Sequence, residues 1–214
     1  MNIYNVIILD ESGSMSSIYK ETLQSINEVL VGIRKNQEEH GDQQHNVTIV
    51  TFEGNGIKGI KTRRDRVPIN DIEDFTEKDY RPGGCTPLYD AMGQTLNRLE
   101  GLVEENDKVM ATIITDGFEN SSEEYSGKTV KSLVGRLREK GWVFAYIGAN
   151  QDAIEVARDL NISNALNYDA SPEGMLMMSV RFREVNRKMS EGVARKKEPG
   201  FFDMLFDSPA QNDA

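Results

Sequence analysis

Two hydrophobic rhythms alternate along this chain. Ile3 to Leu9 is a nearly unbroken apolar run, stopped by Asp10, and Val47 to Phe52 is a second, rich in β-branched residues. Val109 to Ile114 and Trp142 to Ile147 repeat the pattern. Continuous runs of this length, rather than strict in–out alternation, predict strands buried on both faces. Between them the period becomes helical. Leu23, Ile26, Leu30 and Ile33 form one stripe, and Leu88, Met92, Leu96, Leu99 and Val103 another. Val130, Leu133, Val134 and Leu137 mark a helix that stops at Gly141. Ala153, Val156, Ala157 and Leu160 mark the next, and Met175, Met178, Phe182, Val185 and Met189 the last.

Smaller signals complete the outline. Ile57 to Arg63 alternates weakly after a glycine turn and predicts a short antiparallel edge strand, guarded by Lys58, Lys61 and Arg63. Glu38 to Asn46 reads as a polar connection that holds both histidines, His40 and His45, in solvent. Pro87 suits the first position of a helix with Thr86 as its cap, and Ser171-Pro172-Glu173 is a second helix start. Ala165 to Tyr168 predicts a last short strand. Strands alternating with helices imply right-handed crossovers and a mostly parallel sheet with helices on both faces. Ligands of such sheets bind beyond the carboxyl ends of the strands, where strand order reverses. Asp10 and Asp116 both follow apolar strands and belong on that edge.

Composition narrows the function classes. A chain of 214 residues suits one domain with a full core. The formal charge of -10 argues against non-specific binding to nucleic acid or to an anionic membrane. A lone cysteine, Cys85, allows no internal disulfide and points to a reducing compartment. The N-terminal apolar run is short, has no basic leader and ends at Asp10, so it reads as a strand rather than a signal peptide. No segment has the length of a membrane span. The expected location is cytoplasmic.

The chemistry gathers in three places. Asp10-Glu11-Ser12-Gly13-Ser14 presents a carboxylate and two hydroxyls in a tight turn, and oxygen-only donors suit a hard cation such as Mg²⁺, Mn²⁺ or Ca²⁺. Those donors do not fill such a shell. Gly83-Gly84-Cys85-Thr86-Pro87 and Thr115-Asp116-Gly117 offer the rest. Asp10-x-Ser12-x-Ser14, the later Thr86 in a glycine-rich loop before a helix, and Thr115-Asp116-Gly117 together resemble the metal-ion-dependent adhesion site (MIDAS) of von Willebrand factor type A (vWA) domains. The resemblance covers roughly residues 3 to 189. It implies a Rossmann-like three-layer α/β fold and direct metal contacts from Ser12, Ser14 and Thr86. Asp10 and Asp116 would act largely through waters, and a Glu or Asp carboxylate from a protein partner would complete the shell. More narrowly, Asp10 to Met15, Gly83 to Ala91 and Ile147 to Ala153 are similar to small stand-alone bacterial or phage domains of this family, some associated with tellurium-resistance gene clusters.

Other readings compete at several of these positions. Ser12, Ser14 and Thr86 would be ordinary helix caps, and Asp116 a turn residue, if each stood alone. Asp10-x-Ser12 also resembles the Asp-x-Asp of haloacid-dehalogenase-like phosphatases, but Ser12 replaces the acid/base that chemistry needs. Cys85 has no histidine base and reads as a small loop residue, while Glu119 and Asn120 read as caps or solvated groups. The Met stripe from Met175 to Met189 reads as core. Residues 1–190 form the expected domain, and 191–214 a tail, flexible or a docking peptide. Its aromatic segment Phe201 to Phe206 either docks a partner, the favoured reading and the basis for a scaffold-subunit role, or folds back over apolar surface.

Overall fold

The computed structural model describes residues 1–149 and 153–206. Six strands form one sheet in the order β3-β2-β1-β4-β5-β6. They are β1 (Asn2–Asp10), β2 (Gln44–Phe52), β3 (Ile60–Pro68), β4 (Lys108–Thr115), β5 (Val143–Ala149) and β6 (Asn164–Tyr168). All neighbours are parallel except β2 and β3. Helices α1 (Tyr19–Glu39) and α5 (Pro172–Ala194) cover one face, with the single turn α6 (Pro199–Phe202). Helices α2 (Leu88–Glu100), α3 (Gly127–Glu139) and α4 (Ala153–Asp159) cover the other.

The unbroken apolar strands follow from this sandwich. Within β1, Ile3, Ile7 and Leu9 point into the α1/α5 core while Val6 and Ile8 point into the α2/α3 core. Both faces are covered, so both positions of the two-residue repeat are mostly apolar, and a polar exception such as Asn5 is hydrogen-bonded. The chain runs from β1 outward to β2 and β3, then returns to the other side of β1 as β4. Strand order therefore reverses between β1 and β4, and the carboxyl ends of these two strands flank the crevice.

Three expectations need correction. The edge strand is longer than Ile57 to Arg63, because a register shift opposite Val47 to Val50 and a left-handed Arg66 (φ 52°) break its alternation. His45 lies inside β2 and is buried, with Asn5 Nδ2 at 3.2 Å and Gln43 Oε1 at 3.3 Å from its ring nitrogens. Burial drives its pKa down to about 4, so it is neutral and not solvated. Finally, the segment set apart after residue 190 lies back on the domain as far as residue 206. Helix α5 continues to Ala194, Leu205 is buried in the core, and Asn164 accepts from Leu205 N (2.8 Å) while donating to Phe202 O (2.8 Å). Gly192 makes this possible, since a Cβ there would meet the Phe201 ring at 2.6 Å. Residues 207–214 of that tail, and Asn150, Gln151 and Asp152 of the segment after β5, lie outside the described residues.

Candidate metal centre

Strand β1 delivers Asp10, and the chain turns at once into a 3-10 segment, Gly13–Ile18. Ser12 occupies the N-cap position of that segment but its side chain caps nothing. The hydroxyl is free for other work: Ser12 Oγ and Ser14 Oγ lie 3.2 Å apart, and Ser14 donates to Asp116 Oδ1 at 2.5 Å. Asp10 is fully buried. Its Oδ1 accepts from Ser12 N (2.7 Å) and its Oδ2 from the Thr115 hydroxyl (2.5 Å), which fixes the carboxylate across the β1/β4 boundary.

The Thr86 loop is locked to the first turn through its backbone. Gly83 N donates to Glu11 O (2.8 Å), and Gly13 N donates to Gly84 O (3.1 Å). Gly84 has φ +69° and a Cβ there would lie 2.7 Å from Gly54 N, so only glycine lets the loops approach. Thr86 does not cap α2 as the sequence suggested, because the helix begins at Leu88 with Pro87 at the cap position. Glu119 caps instead, accepting from Tyr89 N (2.9 Å), and Ser122 accepts from Asp90 N (3.0 Å). Asn120 Oδ1 takes the Thr86 N–H (2.8 Å). Thr86 is thereby left with its hydroxyl directed elsewhere.

Where it goes is visible at Gly117. A Cβ at that position would lie 3.4 Å from Thr86 Oγ1, 3.7 Å from Ser14 Oγ and 4.0 Å from Asp10 Oδ2. Oxygens from the first two loops thus converge on the space that Gly117, in the third, leaves open, and Ser14 ties the Asp116 carboxylate to them. All five residues singled out in the sequence, Asp10, Ser12, Ser14, Thr86 and Asp116, contribute to this cluster. Burial raises the pKa of Asp10 to about 6, with the Asp116 charge adding to it, and burial likewise raises Asp116. The Tyr168 hydroxyl is buried without a hydrogen-bond partner among the described residues, and burial, then the charges of Asp116 and Asp10, push it upward. Two carboxylates and three hydroxyls, with no cationic side chain bonded to either carboxylate among the described residues, fit a hard divalent cation by donor chemistry.

Several supports escaped the sequence reading. Glu11, named in the motif but given no role, is fully buried, paired with Arg63 (2.9 Å) and bonded by Arg81 N (2.6 Å). Tyr80 donates to Asp10 O (2.7 Å) and stacks on Tyr19. Asp90 accepts from Glu123 N, Glu124 N and Tyr125 N, holding the chain that follows Asp116. Only Thr115 carried a signal, its place beside Asp116 at a strand end. The remaining partners are far apart in the sequence. Cys85 is exposed, and so is Phe118, a large apolar ring one residue beyond Gly117.

Comparison with known proteins agrees with this architecture. The family model described as von Willebrand factor type A domain matches residues 6–177. Among curated proteins, none matches the chain in sequence. Among solved structures, the pilus adhesin SpaC from Lactobacillus rhamnosus GG in an open conformation is similar, with TM-score 0.66 at 12% identity over 87% of this chain and 30% of its own. Proximal thread matrix protein 1 from the mussel byssus, with a zinc-occupied MIDAS motif, has TM-score 0.59 at 14% identity, covering 85% of this chain and 45% of its own. A von Willebrand factor type A protein from Catenulispora acidiphila has TM-score 0.57 at 16% identity, covering 88% of this chain and 42% of its own. The chain thus spans less than half the length of these structures.

Proposed function

This chain belongs to the von Willebrand factor type A domain family, and from that premise we propose that it is a non-enzymatic module that binds another protein through a divalent cation, Mg²⁺ being the expected ion. The observation that carries the reading is the convergence of Thr86, Ser14 and Asp10 oxygens on the space beside Gly117. Ser12, Ser14 and Thr86 would hold the ion directly, with Asp10 and Asp116 behind them. The bound ion would supply a Lewis-acidic position for the carboxylate of a partner's Glu or Asp. Neutral hydroxyl donors suit this task, because they leave the cation's charge largely uncompensated.

The chain's own residues do the positioning. Thr115 and Ser12 N orient Asp10, Ser14 is held to Asp116, and Asn120 sets the Thr86 backbone. Exposed Phe118 offers an apolar contact beside the open position. A zinc-occupied MIDAS in a structure of the same fold supports a divalent ion at such a site. Among the described residues, no helix is long and apolar enough to cross a membrane. A cytoplasmic setting is part of the proposal.

The test is capture from a lysate of the source organism with wild type in Mg²⁺, wild type in EDTA, and Asp10→Ala in Mg²⁺. A protein retained only by wild type with Mg²⁺ is the expected result. Full Mg²⁺-dependent retention by a folded Asp10→Ala would overturn the proposal. A phosphate-ester assay separates the rival phosphohydrolase reading: turnover abolished by Asp10→Asn would revive it.

A further inference from the structure

At the opposite edge of the sheet, where β4 and β5 begin, a cavity of about 730 Å³ opens between the ends of α3 and α5 and the turn α6. Trp142, Val193 and Phe202 supply apolar wall, and Lys108, Lys196 and Lys197 line the same space. The volume lies within the range of small-molecule sites, which combine apolar walls with a few polar anchors. The charge balance is unlike the rest of the chain. Four cationic side chains, these three lysines and Arg138, face three carboxylates, whereas the whole chain carries -10. Arg138 is already paired with Asp203 (2.8 Å). None of the three lysines has an ion-pair partner among the described residues, although Lys197 lies 5.8 Å from the centre of the Phe201 ring. The other two carboxylates, Asp42 and Glu139, are exposed.

The turn that presents Lys196 and Lys197 is unusual. After α5, Lys196 N donates to Val193 O (3.1 Å) and Lys197 N to Gly192 O (2.9 Å), the paired bonds of a Schellman cap. The left-handed position of that cap normally belongs to glycine, yet here it is Lys196 at φ 49°. Glycine would satisfy the backbone with less strain, so a lysine at this position carries a conformational cost.

We propose that this cavity binds a small amphipathic anion, an aromatic or alkyl body carrying a sulfonate, carboxylate or phosphate, with Lys196 and its two lysine neighbours holding the charge. It is separate from the metal centre, so its test is run in EDTA. Trp142 is the sole tryptophan and forms part of the wall, which makes it an intrinsic reporter. The probes are 8-anilinonaphthalene-1-sulfonate and its neutral counterpart N-phenyl-1-naphthylamine, titrated against energy transfer from Trp142. The expected result is saturable binding at one site, with the sulfonate about tenfold tighter, the equivalent of one charge-assisted contact. Lys196→Gly should weaken sulfonate binding about three- to tenfold. It should leave the neutral dye unchanged and the thermal midpoint equal or higher, because the strained position is relieved. Equal affinity for the two dyes, non-saturable transfer, or undiminished sulfonate binding by Lys196→Gly would overturn the proposal. If Lys196→Gly lowers the midpoint, Lys197→Gln in the same titration decides: weakened sulfonate binding upholds the site and unchanged binding refutes it.

Discussion

The two edges of the sheet bury ionisable groups in opposite ways. At the amino edge, His45 is enclosed by the neutral amides of Asn5 and Gln43, and burial pushes its pKa down to about 4, so the imidazole is uncharged at neutral pH. At the carboxyl edge, Asp10 accepts from the Thr115 hydroxyl and Asp116 from the Ser14 hydroxyl, and burial pushes Asp10 up to about 6. That is still ionised at neutral pH. Desolvation is the common cause, but His45 gives up its charge while Asp10 keeps one with no cationic side chain bonded to it among the described residues. Glu11 sharpens the contrast within one loop. It is as buried as Asp10, yet Arg63 neutralises it from inside the chain. Glu11 has its cation in the sequence; Asp10 and Asp116 have no cationic side chain bonded to them among the described residues, and the proposed ion would take that place.

The largest effect should come from breaking the internally paired carboxylate. Arg63→Met leaves Glu11 buried without its cation and should cost about 3–5 kcal/mol, measured by urea unfolding at pH 7. The double variant with Glu11→Gln should recover much of the loss. A cost below about 1 kcal/mol would mean that Glu11 is solvated in solution and the contrast with Asp10 is empty.

The next is a pH effect at the amino edge. His45 has its folded pKa lowered to about 4 from an ordinary value of 6.5. Above pH 6.5 both folded and unfolded states are neutral there, and the full stability is present. As pH falls from 6.5 towards 4 the unfolded state takes up a proton that the native state refuses. Stability should drop by at most about 3 kcal/mol across that window. The difference between wild type and His45→Gln in unfolding free energy at pH 7 and at pH 4.5 isolates this contribution, and parallel pH profiles would contradict it.

The smallest concerns the external cation. Mg²⁺ at about a hundred times its dissociation constant should stabilise wild type by about 2.7 kcal/mol. For a chain of this size that is a rise of roughly 5–10 °C in thermal midpoint. Asp10→Asn should show little of that rise, while its metal-free form should be at least as stable as wild type at pH 7, since a buried charge has been removed. Asp10 in wild type works in the opposite sense to His45: its raised folded pKa makes the metal-free protein lose stability as pH climbs from 3.8 to about 6. A calorimetric series with and without Mg²⁺ checks both statements. Equal metal-induced shifts in wild type and Asp10→Asn would place the ion elsewhere.

The legibility of the molecule follows the range of the forces involved. The apolar runs of β1, β2, β4 and β5 and the stripes of α1 to α5 announced themselves, because burial on one or two faces dictates a local repeat. The doubly buried sheet and the crevice at its carboxyl edge followed from that repeat and from the handedness of crossovers. Asp10, Ser12, Ser14, Thr86 and Asp116 were also readable, since each stands next to a strand end or helix start. Everything that depended on a distant partner stayed hidden. Thr86 is not a cap because Glu119 takes the helix N–H, Arg66 conceals half of β3 with a left-handed residue, and His45 is buried with its ring against the Asn5 amide of the neighbouring strand.

Local chemistry and periodicity therefore determined, from the chain alone, the fold class, the sheet edge that matters and the residue types gathered there. The tertiary structure alone decided which of two neighbouring acids is neutralised internally, that Phe201 to Leu205 lies back on the domain beside Gly192, and that three lysines line a cavity with the only tryptophan. The reason is that hydrogen bonds and ion pairs act over a few ångströms in space, and the sequence separations they bridge here, Glu11 to Arg63 or Arg138 to Asp203, leave no periodic trace.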